Sequence, residues 1–176
     1  MNDDTDHGAA AIYASLEPVL QDFINAGKKM IILISDSPLP QYRNKSIFWM
    51  AKKLALKWKV TLKWIYLEAG HGKGIPDGLG AVLKRTIKAM VDMSPGIPIY
   101  TVEDLLRHGL KDMVPSIKIT TFTTDDIKKK KQEIPSKLTC VTGTLKIHEV
   151  LATVVGNTVK MSASDLSGEV HKPIKV

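Results

Sequence analysis

The stretch Met30-Ile-Ile-Leu-Ile34 is a short, uninterrupted apolar run, and it decides the fold class of the chain. Strands buried on both faces of a parallel sheet have this composition, because neither face alternates with polar residues. A helical apolar pattern over residues 8–26 precedes the apolar run and ends at Gly27. Asp36 follows the apolar run, after Ser35. We therefore predict a buried central strand that follows a helix and ends beside a carboxylate.

Helices and strands keep alternating downstream of this strand. Residues 43–58 have an amphipathic helical pattern, and residues 60–67 (V-T-L-K-W-I-Y-L) predict a second strand, because they are rich in β-branched and aromatic side chains. A loop with five glycines in residues 70–80 leads into a third helix, from Pro76 to about Met93. The order α-β-α-β-α predicts an α/β domain with parallel central strands.

The rest of the chain carries weaker signals. Thr101 and Asp104 have the spacing of a capping box, which predicts a short helix. We further predict a strand at residues 117–122, a solvated turn or helix end at the four lysines 128–131, two strands at 144–155 and 158–162 joined at Gly156-Asn157, and a flexible tail over residues 165–176. Trp49, Trp58 and Trp64 fall in predicted core elements and are expected to pack there.

The composition is that of an ordinary globular protein, and it excludes several classes. The chain has 176 residues, 44% of them apolar and 24% charged, which suits one domain with its own core. No run of about 18 apolar residues occurs, so a membrane span is not expected. Cys140 is the single cysteine, which excludes an internal disulfide and a cysteine-cluster zinc site. The polar, acidic N-terminus does not resemble a secretory signal, and we expect an intracellular protein.

The positive charge is concentrated in one section of the chain. Residues 28–88 hold 13 Lys or Arg and 3 Asp or Glu, a local charge of +10, whereas the rest of the chain has a charge of −3. Such a basic section is typical of binding to a polyanion such as nucleic acid. A solvated, solubilising surface explains the same count, so the charge alone leaves both interpretations open.

Two acids stand out by their positions. Asp36 comes just after the first predicted strand, at the end where ligand sites of open α/β sheets gather. Asp77 lies in the first turn of the helix that follows the second strand. If the strands are neighbours, both carboxylates approach one point, where they would suit Mg²⁺ or Mn²⁺ and phosphoryl chemistry. Each acid also has a purely structural explanation: Asp36 as a turn residue and Asp77 as a complement to the helix dipole.

Other catalytic motifs are not supported. The glycine-rich loop leads to a helix N-terminus, where His71 and Lys73 are placed to contact a phosphate, although a tight structural loop explains it equally well. Neither the Walker A pattern nor the G-x-G-x-x-G fingerprint can be aligned with it. Cys140 and the serines lack the surroundings of a nucleophile, and the histidines lack metal-ligand spacing.

Taken together, two motifs resemble the catalytic core of transposon-derived proteins of the DDE transposase/integrase type. They are Ser35-Asp36-x₄-Gln41-Tyr42-Arg43-Asn44 and His71-Gly72-Lys73-Gly74-x₂-Asp77-Gly78-x-Gly80-x₂-Leu83-Lys84-Arg85, with a weaker match at Gly143-Thr144-x₃-His148. The resemblance spans residues 30–162 and implies an RNase H-like fold. It makes Met30–Ile34 the fourth strand, Asp36 the second catalytic acid and Asp77 the third. It also implies a Mg²⁺ or Mn²⁺ cofactor if the domain is active, and otherwise no cofactor.

The chain departs from that pattern in one important respect. The first DDE acid lies on the first strand of a three-stranded β-meander, and nothing before Met30 has such a pattern; residues 8–26 correspond to the helix after it. Ser37 also stands where the family usually has Gly. We therefore expect a single domain over residues 8–164, after a flexible N-terminus at residues 1–7. Its fold would be an RNase H-like α/β core without the N-terminal meander but with a C-terminal β extension, either a fragment or a domesticated copy. Such a sheet should expose an edge and an apolar face.

These observations support three functional hypotheses. The first is a catalytically inactive, intracellular and nuclear remnant of a transposase that binds DNA or RNA through Arg43, Lys45, Lys52, Lys53, His71, Lys73, Lys84, Arg85 and Lys88. The second is a scaffold that binds a protein partner or a second copy at its sheet edge, for example in a chromatin complex. The third is an active metal-dependent nuclease or transposase whose missing acid is supplied elsewhere. No membrane partner is expected.

Overall fold

The computed structural model describes residues 8–35, 42–67, 75–165 and 170–176, without the side chains of residues 75 and 76. The elements in chain order are α1 (Ala9–Asn25), β1 (Met30–Ser35), α2 (Lys45–Trp58), β2 (Thr61–Tyr66), α3 (Ile75–Asp92), α4 (Val102–Arg107), α5 (Leu110–Met113), α6 (Thr124–Glu133), a 3₁₀ turn (Thr144–Lys146), β3 (Glu149–Val155), β4 (Thr158–Ser164) and β5 (Lys172–Pro173). The alternation predicted for the first half of the chain is confirmed.

The strands form one mixed five-stranded sheet in the order β1-β2-β3-β4-β5. β1 and β2 are parallel, in a register that pairs Ile32 with Lys63. All later neighbours are antiparallel, and β3 and β4 form a hairpin in which Gly156 has a φ of +60°. The domain is therefore α/β as predicted, but parallel pairing is limited to one strand pair. No helix in the described ranges is long and apolar enough to cross a membrane.

One face of the sheet, which we call the inner face, carries the main core. Helix α2 packs on it because its buried stripe meets Leu62, Trp64 and Val150 of β2 and β3. The helix starts where the Asn44 side chain accepts hydrogen bonds from two backbone amides, both at 3.0 Å, and it ends at Lys59 in the left-handed conformation. Trp64 is buried as predicted, and Trp49 and Trp58 pack partly buried against the same core.

The outer face of β1 contradicts the expectation of a strand buried on both sides. β1 is the edge strand of the described sheet, and Met30, Ile32 and Ile34 are 51%, 52% and 60% exposed. Only Ile31 and Leu33 of its apolar run reach the inner core. A local pattern reports that a strand is apolar on both faces, but it does not report whether both faces are covered.

Two further predictions are wrong. Residues 117–122 form no strand, because Ile119 and Phe122 pack against helix clusters, and an apolar segment becomes a strand only where a neighbouring strand completes its ladder. The tail is not wholly flexible either. Lys172–Pro173 pair with β4, and Ile174 and Val176 pack against the main core.

Two groups of helices complete the described fold. α6 packs along α1, with Ile127 among three alanines of that helix. It contains the whole four-lysine run and begins with a capping box between Thr123 and Asp126. α3, α4 and α5 share a small second core around Met90, Leu105 and Leu110, and the capping box predicted at Thr101 starts α4.

Candidate functional site

The carboxyl ends of β1 and β2 lie side by side, as the placement of the two acids requires. The backbone N–H of Leu67 donates to the carbonyl of Ser35 at 2.8 Å, and the Trp64 indole N–H donates to the Ser35 hydroxyl at 3.0 Å. Asp36 is the next residue after Ser35, but it lies outside the described residues. The strand arrangement places Ser35, the residue before Asp36 in the sequence, beside the carboxyl end of β2.

Asp77 lies in the first turn of α3, where its side chain is exposed. Oxygen ligands from at least two elements would be needed for a metal site here. The described residues contain no group of three or more His, Cys, Asp or Glu side chains that could hold a metal ion. They include only one of the two predicted carboxylates, so a metal site at Asp36 and Asp77 stays a prediction.

Arg43 is a buried residue that joins distant parts of the chain. It is 7% exposed, and its Nη1 donates to the carbonyl of Leu145 at 2.7 Å. Its guanidinium carbon lies 5.5 Å from the centre of the Tyr66 ring. The Tyr66 hydroxyl is buried without a hydrogen-bond partner among the described residues, and burial raises the pKa of this phenol far above its ordinary value. The Arg43 side chain therefore connects β2, the start of α2 and the 3₁₀ turn.

The other predicted nucleic-acid contacts are divided between two places. Lys45, Lys52 and Lys53 lie on α2, where Lys52 Nζ donates to the backbone carbonyl of Val176 at 2.7 Å. Lys84, Arg85 and Lys88 are exposed on α3, and Lys88 pairs with Asp92 at 2.7 Å. His71 and Lys73 lie outside the described residues. The structure thus separates residues that are close in sequence into an α2 group and an α3 group.

A network of ion pairs connects α1, α2 and α6, and the sequence analysis missed it. Glu17 binds Lys57 and Lys130, whereas Glu133 binds Lys53 at 2.5 Å and Lys130 at 2.9 Å. The Tyr13 hydroxyl also donates to Glu133, and the Lys130 ammonium lies 4.3 Å from the centre of the Tyr13 ring. The partners are separated by up to 120 positions in the sequence, so no local signal points to them.

This network changes the acidity of its members. Burial alone would raise the pKa of Glu133, yet hydrogen bonds from Lys53 and Lys130, together with their positive charges, lower it from 4.5 to about 2. The pKa of Glu17 is lowered in the same way by Lys130 and Lys57, against the effect of burial. These carboxylates are therefore charged at neutral pH and hold the three helices together.

A groove of about 570 Å³ opens beside the network. One wall is the face of α2 formed by Trp49, Lys52, Lys53 and Leu56, which have the i, i+3, i+4, i+7 spacing of one helix face. Residues 137–139 and Val176 line the rest of the groove. The groove depends on the position of residues 137–139 after α6, which the sequence pattern does not predict.

Comparison with known proteins gives a family but no described relative. A family model described as "Domain of unknown function (DUF8701)" matches residues 1–164. No curated protein and no solved structure matches the chain.

Proposed function

The chain belongs to the DUF8701 family, a domain of unknown function, and we propose that it is a transposase-derived, RNase H-like domain that binds nucleic acid in the nucleus without cleaving it. The observation that carries the proposal is the parallel pairing of β1 with β2. It sets the carboxyl end of β1, which Asp36 follows in the sequence, beside that of β2, and α3 with Asp77 comes next along the chain. This is the order of elements and acids in the DDE sequence resemblance.

The absence of cleavage is proposed because a two-metal site needs more acids than this arrangement supplies. The resemblance assigns the first acid to a strand before Met30, and the described residues before Met30 contain only helix α1 and the turn after it. Two carboxylates without the first one would hold two metal ions poorly. The basic residues of α2 and α3 would still bind a polyanion, since phosphate contacts do not depend on catalysis.

Fluorescence anisotropy with a 20-nucleotide DNA single strand, the matching RNA and the DNA duplex tests the proposal over 50–200 mM salt. We expect binding that weakens steeply as salt rises, because each phosphate contact releases counterions. Cleavage assays with Mg²⁺ and Mn²⁺ on the same strands should yield no product. Absence of binding at 50 mM salt would refute the nucleic-acid function. If the wild-type protein cleaves these strands and the variants Asp36→Asn and Asp77→Asn do not, the proposal that the domain is inactive is refuted.

A second candidate function is favoured by the exposed edge of β1. Its apolar outer face (Met30, Ile32 and Ile34) is flanked by exposed Lys28 and Lys29, and within the part of the chain that the structure describes β1 forms a ladder with β2 only. The occupant that fits is an extended strand of another polypeptide, with apolar residues at alternate positions and acidic residues beside the two lysines. In this function the domain is a scaffold whose sheet is extended by its partner.

Hydrogen exchange with a synthetic peptide tests this scaffold function. The peptide has alternating Val and Thr and two Asp at one end. We expect it to slow exchange of the β1 amides in the wild-type protein but not in Ile32→Lys/Ile34→Lys. Unchanged exchange of β1 at saturating peptide would refute strand addition. Protection of the double variant equal to that of the wild type would show that the peptide binds elsewhere.

A further inference from the structure

The groove beside α2 combines apolar surface with positive charge. Trp49, Leu56 and Leu138 supply apolar surface, and Lys52, Lys53 and Lys137 supply three ammonium groups around it. Trp49 is held in place from two sides. The Tyr13 ring meets it edge-on at 6.5 Å, and the Lys53 ammonium lies 5.0 Å from its centre. The indole is therefore a fixed, partly exposed aromatic surface in a groove lined by lysines.

The charge of the groove is only partly balanced within it. Lys53 shares Glu133 with Lys130, whereas no Asp or Glu side chain of the described ranges pairs with Lys52 or Lys137. Lys52 donates a hydrogen bond to the backbone oxygen of Val176, the last residue of the sequence, and an ammonium has two further N–H donors. The ammonium groups of Lys52, Lys53 and Lys137 therefore outnumber the acidic groups beside them, which favours an anionic occupant.

A chain of bases and phosphates satisfies both features at once. Aromatic stacking is tolerant of base identity, and lysines spaced along a groove follow the phosphates of a single strand. A duplex keeps its bases stacked inside, so it cannot offer a base to a half-buried indole. An acidic peptide would satisfy the lysines but would leave the aromatic surface without a specific role.

We propose that the groove between α2 and residues 137–139 is a binding site for single-stranded nucleic acid, in which a base stacks on Trp49 and phosphates contact Lys52 and Lys137. The inference rests on the proposed nucleic-acid function and locates it on α2 instead of α3. A site with two to three phosphate contacts gives a slope of about −1.4 to −2 for log affinity against log salt concentration.

Titration of the full chain with a dT₁₀ oligonucleotide, followed by anisotropy, tests the site. Lys137→Gln removes an exposed charge outside every helix and strand, so the fold should not change. We expect about fivefold weaker binding at 50 mM salt and a slope reduced by about 0.7. Lys131→Gln, an equally exposed lysine of α6 outside the groove, is the matched control and should bind like the wild type.

Aromatic variants examine stacking separately from charge. Trp49→Leu should weaken dT₁₀ binding by about 5- to 100-fold, and Trp49→Phe should weaken it less, because a ring face remains. If Trp49→Leu does not fold, Trp49→Phe and Lys137→Gln still decide the question. Equal affinity of the wild type and these two variants would overturn the site.

The remaining outcomes separate the site from the function it rests on. Loss of dT₁₀ binding in Lys84→Gln/Arg85→Gln with no effect of Lys137→Gln would overturn the groove but leave the nucleic-acid function standing on α3. If the wild-type protein binds neither dT₁₀ nor the duplex at 50 mM salt, both the groove site and the nucleic-acid function are overturned. An octa-glutamate peptide that binds more tightly than dT₁₀, in a Lys137-dependent way, would make the groove an acidic-peptide site and overturn the proposal.

Discussion

Replacing Glu133 by Gln should weaken the fold and strengthen nucleic-acid binding, and these opposite signs make the variant informative. The Glu133 carboxylate binds Lys53 and Lys130 and thereby holds α6 on α2. The neutral amide of Gln keeps the size of the side chain and can accept a hydrogen bond, but it loses the charge. The free energy of unfolding decreases as a result. The positive charge of Lys53 is then no longer balanced by Glu133 and can attract an anion in the groove.

The magnitude follows from the pKa of Glu133, which is about 2 in the folded protein and 4.5 as an ordinary side chain. A difference of this size corresponds to about 3 kcal/mol at 1.36 kcal/mol for each pH unit. Because the Glu133 side chain is 33% exposed, solvent screening reduces the expected contribution to about 1–2 kcal/mol. For a chain of this length, that lowers the melting temperature by about 2–8 °C.

The pH dependence distinguishes lost charge from general damage. A carboxylate whose pKa is lowered by folding stabilises the protein fully above pH 4.5, and this stabilisation is lost as the pH falls towards 2. Urea unfolding from pH 7 to pH 3 should therefore show the wild type and Glu133→Gln converging as acid is added. A constant difference down to pH 3, or weaker dT₁₀ binding by the variant, would refute the reasoning.

Four further variants extend these expectations. Arg43→Met should lower the free energy of unfolding by about 3 kcal/mol in urea titrations, because it removes the bond to Leu145 and the contact with Tyr66; dT₁₀ affinity of the folded protein should not change. Ile34→Lys should change the free energy of unfolding by less than about 0.5 kcal/mol, since the side chain is 60% exposed. Ile31→Lys should prevent folding, as measured by circular dichroism, because it buries a charge. Thr123→Ala removes one half of a capping box and should lower the free energy of unfolding by about 1 kcal/mol in the same urea titration. The backbone amides of α6 should also exchange their hydrogens faster than in the wild type.

The elements that the sequence predicts well are those defined by local chemistry. β1 follows from its apolar run, α2 from its amphipathic periodicity and β2 from its β-branched and aromatic residues. The hairpin turn follows from Gly156, and the start of α4 follows from the Thr101 cap. The edge position of β1 could not be predicted, because it depends on which strands pair. For the same reason residues 117–122 were assigned a strand, and the pairing of Lys172–Pro173 with β4 was not expected.

The candidate site was predictable only in part. The order of the elements left open whether β1 and β2 are neighbours, and the structure pairs them in parallel. The groove at Trp49 was not expected, since Lys137 and Val176 reach it from positions more than 80 residues away. Trp49 packs partly against the core as predicted, and its remaining exposed surface supports the additional role that we propose.

The concentration of charge in the sequence acquires a different meaning once the chain is folded. Three cations of the basic section pair with acids of the acidic remainder: Lys53 with Glu133, Lys57 with Glu17 and Lys63 with Glu149. Part of the local charge of +10 is thus neutralised by ion pairs between the two sections, and these lysines are not available to bind a polyanion. Nucleic-acid affinity should therefore follow the cations that no Asp or Glu side chain of the described ranges pairs with, and not the lysine count. Lys52 and Lys137 in the groove, and Lys84 and Arg85 on α3, are such cations, which is why variants at these two places decide where a nucleic acid binds.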